Sequence, residues 1–334
     1  MILLLSEENC ESTNLVIDWL IKFNANYFRI NKSDNCQVKS ISTSNNLLRI
    51  ILCINKKSLD LSKINAVWHR RPGINLTHSI PKFKNLPSTI RTHLSIHLSG
   101  ELHELNNFIL YYLGTKKTIG TPGLHHINKL KCLDIANKIG LKIPKTKIFT
   151  RKDAMPVFNS MITKSIRNNP IIRYKSIASL SVTSRVPNAL KKSISLEFFP
   201  SLIQEEIIKD FEIRVFFLND LFYAMAIFSQ GNPNTEVDFR NLNKGLSNRN
   251  CSYILPKFIE HKLRILLHKI GLNSASIDLI KTKQNEFYFL EINPVGQFGM
   301  VSYPCNYYLE KIIAQTLVNY DKNNKQIERH TNKL

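Results

Sequence analysis

The stretch Phe287 to Met300, FYFLEINPVGQFGM, places an acid and an amide where the apolar residues of a strand would normally continue. Alternate side chains of an extended strand share a face. Phe287, Phe289, Glu291 and Asn293 are therefore expected on one side, and Tyr288, Leu290 and Ile292 on the other. A second apolar run, Ala275 to Ile280, is interrupted by Asp278, and the polar Lys-Thr-Lys-Gln-Asn-Glu between the runs suits a hairpin turn. With Gln284 and Asn285 as the two central turn residues, Asp278 falls directly opposite Glu291. Asp278, Glu291 and Asn293 then make one cluster of hard oxygen donors, suited to Mg²⁺ bound together with substrate phosphates. The competing reading is a polar strand face in water. Pro294, Gly296 and Gly299 stop the strand and permit a tight loop, as at a site built on a strand end.

Two further groups could do chemistry. Trp68-His69-Arg70-Arg71-Pro72-Gly73 ends a strand with two guanidinium forks before a turn, a shape that suits carboxylate or phosphate; a solvated turn is the alternative. His93, His97 and Glu101 are spaced along one side of a long helix, but lack the fourth ligand or HExxH pattern of a metal site and read as a solvated flank.

The elements that must position these residues alternate. Strands are expected at Ile2 to Leu5, Leu47 to Ile54 and Ala66 to Trp68, and helices at Ser12 to Phe23 and Ser88 to Leu113. The long helix carries an apolar stripe of Ile90, Leu94, Leu98, Leu102, Leu105 and Ile109, with Gly114 at its end. A mixed α/β unit follows from that alternation. Thr121-Pro122-Gly123 reads as a linker, and Asn128 as the cap of a helix that Gly140 ends. A β-rich segment runs to about Phe199. Phe211 to Leu218 and Leu221 to Phe228 are strands joined by Asn219-Asp220, a hairpin signal. Lys257 to Ile270 and Asn306 to Val318 are further helices, and the polar tail from Asp321 is expected to be disordered. The domains expected are 1–120, 121–203 and 204–320, with a tail of 321–334.

At 334 residues the chain can bury a sizeable core, and no apolar run approaches the roughly 20 residues that cross a bilayer. Met1 to Leu5 reads as a first strand, not a signal peptide. The cysteines are scattered without a CxxC pair, which fits a reducing cytoplasm and argues against a zinc or disulfide framework. The net charge of +21 admits a nucleic-acid partner, but the bases are spread along the chain. A generic Lys-, Asn- and Ile-rich composition is preferred.

From about Thr121 to Leu317 the motifs, in their order, resemble the ATP-grasp family. Asn128-Lys129-Leu130 and the exit Gly140-Leu141-Lys142-Ile143-Pro144-Lys145-Thr146 are similar to its Lys-bearing helix. Lys164 resembles its strand lysine, Gln204-Glu205-Glu206-Ile207 its adenine hinge, and Glu212-Ile213-Arg214-Val215 the acid and Arg that follow. Asp238-Phe239-Arg240-Asn241 resembles a segment of ribosomal-protein glutamate ligases, and Asp278, Glu291 and Asn293 the family's metal ligands. Arg70-Arg71-Pro72 and the run Glu291 to Met300 followed by Ser302-Tyr303-Pro304 narrow the resemblance to ATP-grasp peptide maturases of the grasp-with-spasm type, related to microviridin macrocyclases. The phosphate-covering segment departs from many relatives, since Ser165 to Arg185 contains no Gly.

The resemblance implies an ATP-grasp fold with an N-terminal α/β pre-grasp domain, and ATP and Mg²⁺ as cofactors. It implies a ribosomally synthesised precursor peptide as partner, whose Asp or Glu side chains are activated as acyl phosphates and joined to Lys or Ser/Thr. Lys129, Lys164, Gln204, Glu205, Glu206, Ile207 and Glu212 would bind the nucleotide, and Arg214 and Arg240 would act on the transferring phosphoryl. Asp278, Glu291 and Asn293 would hold the metal, and Arg70, Arg71 and Asp238 the substrate. A homodimer is left open. The rival enzyme reading is a ligase adding glutamate to a protein tail, and the rival outside catalysis is a basic nucleic-acid-binding protein.

Overall fold

A computed structural model describes residues 1–45, 47–77, 86–156, 158, 160–167, 171–174, 177–180, 183–187, 193–231 and 248–331. The chain divides into two units: Met1–His126 with Tyr308–Leu334, and Ile127–Tyr307. The first boundary lies a few residues beyond the expected linker. The last helix joins the first unit and not the segment 204–320.

In the first unit, β1 (Ile2–Ser6), β2 (Tyr27–Asn31), β6 (Ala66–His69) and β7 (Lys117–Ile119) form a parallel sheet in the order β2-β1-β6-β7. Strand β1 is buried throughout, as its unbroken apolar run requires of a central parallel strand. An antiparallel sheet of β3 (Cys36–Ser44), β4 (Leu47–Ile54) and β5 (Lys57–Asp60) adds Ile50, Leu52 and Ile54 to the same core as Leu3, Leu5 and Val67. Helix α1 (Glu11–Lys22) packs on the last helix, Leu309–Thr331.

Helix α2 (Ser88–Gly114) is as long as expected, but its stripe is not uniformly buried. Only Ile109 and Leu113 are buried, while Ile90 and Leu105 are exposed at 45% and 36%. Periodicity marks a face that can be buried, not one that is. His93, His97 and Glu101 are all exposed.

Among the described residues, the second unit holds two multi-stranded antiparallel sheets and a two-stranded one. The smaller multi-stranded sheet, in the order β12-β9-β13-β8, comprises β8 (Thr146–Arg151), β9 (Met161–Thr163), β12 (Ser184–Arg185) and β13 (Glu197–Glu205). The chain between β9 and β12 forms a separate hairpin of β10 (Ile171–Tyr174) and β11 (Ile177–Leu180). Helix α3 (Lys129–Lys138) begins where Asn128 accepts the Leu130 and Lys131 N–H groups.

The larger sheet runs β16-β15-β14-β17-β18: β14 (Phe211–Leu218), β15 (Leu221–Phe228), β16 (Arg249–Tyr253), β17 (Ser274–Lys281) and β18 (Phe287–Asn293). Asn219 and Asp220 both have positive φ, which makes the expected two-residue hairpin. Helix α4 (Lys257–Ile270) buries Ile259, Leu263, Leu266 and Leu267 and is closed by left-handed Gly271. A short helix α5 (Gly299–Cys305) begins at Gly299, within the loop expected up to Met300. Asn306 and Tyr308, both at positive φ, then separate it from α6 (Leu309–Thr331). The tail from Asp321 therefore continues a helix to Thr331. Asp321 is buried within its own unit because it accepts from the Met1 ammonium at 2.5 Å and from Asn65 Nδ2 at 2.8 Å.

Candidate active site

Strand β14 is buried at every position, yet carries Glu212 and Arg214. Strand β17, beside it, is buried from Ser274 to Ile280 and carries Asp278. A charge buried in a central strand needs a partner or a ligand. Cross-strand partners share a sheet face, so the register assembles the site directly. Arg214 pairs with Asp278, and Asp278 with Glu291. The next row toward β18's end pairs Phe216 with Ser276 and Ser276 with Asn293; on the other side Glu212 pairs with Ile280. Glu212, Arg214, Asp278, Glu291 and Asn293 thus occupy one face.

The opposition of Asp278 and Glu291 was anticipated, but by an incomplete route. Near the turn the pairs are Lys281 with Phe287, Ile280 with Tyr288 and Leu279 with Phe289. The turn is longer than two residues: Thr282 N–H donates to the Glu286 carbonyl, and Asn285, at φ 60°, donates to that of Thr282. A bulge between Leu279 and Asp278 leaves Leu290 without an opposite residue and restores the anticipated register beyond it. The bulge also overturns the simple alternation. Phe287 and Phe289 share the face of Leu279, where Phe287 meets Phe258 of α4 edge-to-face, whereas Glu291 and Asn293 lie on the opposite face with Asp278. One inserted residue lets the strand be greasy toward the helix and acidic toward the site.

Two carboxylates stand side by side at the centre of this row, with a cation at each end. Arg214 Nη1 donates to both Asp278 carboxylate oxygens, at 2.7 and 2.6 Å. Glu291 Oε2 lies 3.2 Å from Lys129 Nζ, which also donates to the Ser165 carbonyl at 3.1 Å. Asn293 Oδ1 accepts the Val295 N–H at 3.1 Å, which folds the chain into the following loop. There Gly296 has φ 58°, and a Cβ on it would stand 3.0 Å from the Phe216 ring, so both backbone and packing call for glycine. Two carboxylates on adjacent strands and an amide oxygen on the same face fit a hard divalent cation that completes its shell with water and phosphate.

Glu212, one row away, is held by Lys209 Nζ in a close contact, and Ser229 Oγ lies 3.4 Å from the same carboxylate oxygen. Lys209 also lines a cleft of about 570 Å³ together with Lys145, Arg185, Glu205, Glu206 and Ile207. Glu205 accepts the Lys145 N–H at 2.9 Å, tying the end of β13 to the entry of β8. Glu206 is clamped by Arg185 and by Ser160 Oγ; the Arg185 guanidinium holds its carboxyl below the usual range. Gln204 is fully buried outside that lining, its Nε2 donating to Thr146 Oγ1 at 2.7 Å. Lys164 follows the end of β9 and is partly buried. Asp238 and Arg240 lie outside the described residues.

Arg70 and Arg71 belong to the first unit and differ from each other. Arg70 is 3% exposed and donates to Ser12 Oγ at 3.3 Å, beside Cys10 at the start of α1. Arg71 is partly exposed and pairs with Glu7 at 2.9 Å. The neighbouring His69 is buried with neither ring nitrogen partnered among the described residues, and burial pushes its pKa down to about 3. Lys209 and Arg185 escaped the sequence reading because a lysine in a connecting loop and an arginine in a two-residue strand carry no periodic signal.

No family model and no curated protein sequence matches this chain. Solved structures do. A Chryseobacterium gregarium RiPP-associated ATP-grasp ligase, in complex with ADP and a leader and core peptide, is 23% identical over 95% of this chain and 96% of its own, with a TM-score of 0.76. The macrocyclase MdnC from Microcystis aeruginosa MRC, bound with precursor peptide MdnA, is 27% identical over 96% of this chain and 99% of its own, with a TM-score of 0.72. The ATP-grasp ligase PsnB, complexed with minimal precursor, Mg and ADP, is 13% identical over 96% and 97%, with a TM-score of 0.65. The fold is that of the ATP-grasp ligases.

Proposed function

We propose that this chain is an ATP- and Mg²⁺-dependent peptide maturase acting on a ribosomally synthesised precursor. The row Arg214–Asp278–Glu291, met by Lys129 of α3, carries the reading, because it supplies both a hard-cation donor set and cations for phosphate. Similarity to the macrocyclase MdnC along nearly the whole chain supports the peptide substrate.

In the proposed reaction an Asp or Glu carboxylate of the precursor attacks the γ-phosphorus of ATP, and ADP leaves. A Lys amine or Ser/Thr hydroxyl of the same peptide then attacks the resulting acyl phosphate. It forms an ω-amide or ω-ester as phosphate departs and the nucleophile gives up a proton. Phosphorylation is needed because an oxide is a poor leaving group from its own carbonyl. A bound Mg²⁺ would polarise the phosphoryl oxygens and neutralise charge as the bond breaks. Asp278, Glu291 and Asn293 would hold it. Lys129 and Lys164 would orient the phosphates, the hinge Gln204 to Ile207 the adenine, and Glu212 the ribose. Arg214 and Arg240 would stabilise the transferring phosphoryl. Arg71 and Asp238 would meet the peptide, and Arg70, buried against α1, would hold the strand end that presents Arg71.

The test is incubation of the chain with ATP, Mg²⁺ and a candidate precursor peptide that carries Asp or Glu together with Lys or Ser/Thr side chains, read by mass spectrometry. Loss of one water per ring, with ADP formed, is the expected result. Addition of a residue mass would instead indicate an amino-acid ligase. Salt-sensitive DNA binding with no turnover would indicate a nucleic-acid-binding protein.

A further inference from the structure

Lys209 has no part in the reaction as written, yet it is a buried lysine in the wall of the cleft. Its side chain is 4% exposed and its partner Glu212's 10%. An ammonium is seldom buried this far unless it is paired, and the pair itself rarely adds net stability over an apolar substitute. Such a pair calls for a reason beyond stability.

Three observations point to one. Lys209 Nζ and Ser229 Oγ converge on the same oxygen of Glu212, Oε1, so the rotation of the carboxylate is fixed from two directions. Lys209 itself is anchored from behind: the next residue, Asp210, donates its N–H to the Lys281 carbonyl at 2.8 Å and takes the Lys281 ammonium at 3.2 Å. Finally, Lys209 lines the same cleft as the hinge residues Glu205 and Ile207, so the residue that holds the Glu212 carboxylate is itself part of the cleft wall.

We propose that Lys209 is a positioning residue for ribose recognition: it presents the Glu212 carboxylate to the hydroxyls of a nucleoside triphosphate and so makes the cleft select ribose. The inference rests on the reading above, in which Glu212 meets the ribose. A carboxylate with fixed rotation accepts hydroxyl hydrogen bonds along defined lone-pair directions, and an ionised acceptor makes the stronger bond. With a mobile carboxylate the hydroxyls gain little over their bonds to water.

The experiment is calorimetric titration of the full-length protein with Mg–ATP, Mg–2′-deoxy-ATP and Mg–3′-deoxy-ATP, for wild type, Lys209→Met and Glu212→Gln. Wild type should prefer ATP over at least one deoxy analogue by about 10- to 100-fold, the range for a hydrogen bond to an ionised acceptor. In Lys209→Met the preference should collapse toward equal affinities, with ATP weakened to the deoxy level and adenine and phosphate binding retained. Glu212→Gln separates the two layers. If it loses the preference while Lys209→Met keeps it, Lys209 does not position the acid and the proposal fails alone. If Glu212→Gln keeps the preference, or wild type shows none, Glu212 is not the ribose acceptor and both readings fail. A purely structural Lys209 would lower thermal stability and leave the ratio intact, which also overturns the proposal. Should Lys209→Met not fold, Lys209→Arg keeps the charge but shifts the donor, and the same collapse is expected of it; an unchanged ratio there counts against the role.

Discussion

Lys129 Nζ and Glu291 Oε2 stand 3.2 Å apart, which joins the first turn of α3 to the acidic end of β18. The contact neutralises an acid that, in the proposed reaction, shares a metal with the nucleotide. Lys129 and the metal would therefore meet Glu291 in different states of the site.

Glu291→Gln follows from that relationship. The substitution keeps size and hydrogen bonding but removes a charge from the metal donors. Turnover of the precursor should fall by about 10²-fold or more, the scale for losing one transition-state electrostatic contact. Circular dichroism should show an unchanged fold, since Glu291 is partly exposed. Full activity at saturating Mg²⁺ would take Glu291 out of the site.

Arg214→Met tests the other end of the row. Asp278 would lose the guanidinium that contacts both its oxygens, and an uncompensated buried carboxylate costs about 3–5 kcal/mol. Denaturant unfolding should show a marked loss of stability, partly recovered in Arg214→Met combined with Asp278→Asn. An unchanged midpoint for the single variant would mean that the pair is not buried as described.

Much of this site was legible because strand chemistry is local. A charge in an apolar run, such as Asp278 or Arg214, stands out against its neighbours, and Asn219-Asp220 or Asn128 announce a turn and a cap by type alone. The bulge at Leu290 was not legible. One extra residue leaves the composition of the strand unchanged, so the sequence reads as plain alternation while the register decides the face. The fate of the α2 stripe was hidden for a related reason: burial depends on what the rest of the fold brings to it. The tail beyond Asp321 was misread because its helix is tied down at the start by a distant ammonium on Met1.

His69 gives a pH dependence with a definite sign. Its folded pKa, about 3, lies below the ordinary value of 6.5, so the folded state holds the ring neutral where the unfolded chain takes up a proton. Stability is therefore full above pH 6.5 and declines as pH falls from there toward about 3. His69→Leu, which buries no titrating ring, should flatten that acid limb in denaturation curves recorded between pH 7 and 4. A limb of the same slope in the variant would assign the acid sensitivity to other groups.

Arg70 and Arg71, though adjacent, should behave as two different residues. Arg70 is buried against α1, and its removal empties a guanidinium from the interior of the first unit, so Arg70→Ala is expected to lower thermal stability. Arg71 is partly exposed, and its pair with Glu7 is of a kind that contributes about 0–1 kcal/mol, so Arg71→Ala should melt close to wild type. A bidentate contact from that fork to a peptide carboxylate, in contrast, carries both charge and direction. Arg71→Ala should therefore slow water loss from the precursor while ATP binding stays as in wild type. Dehydration at the normal rate would reduce Arg71 to a surface turn, and joint loss of ATP binding would tie it to the nucleotide or to folding instead of the peptide.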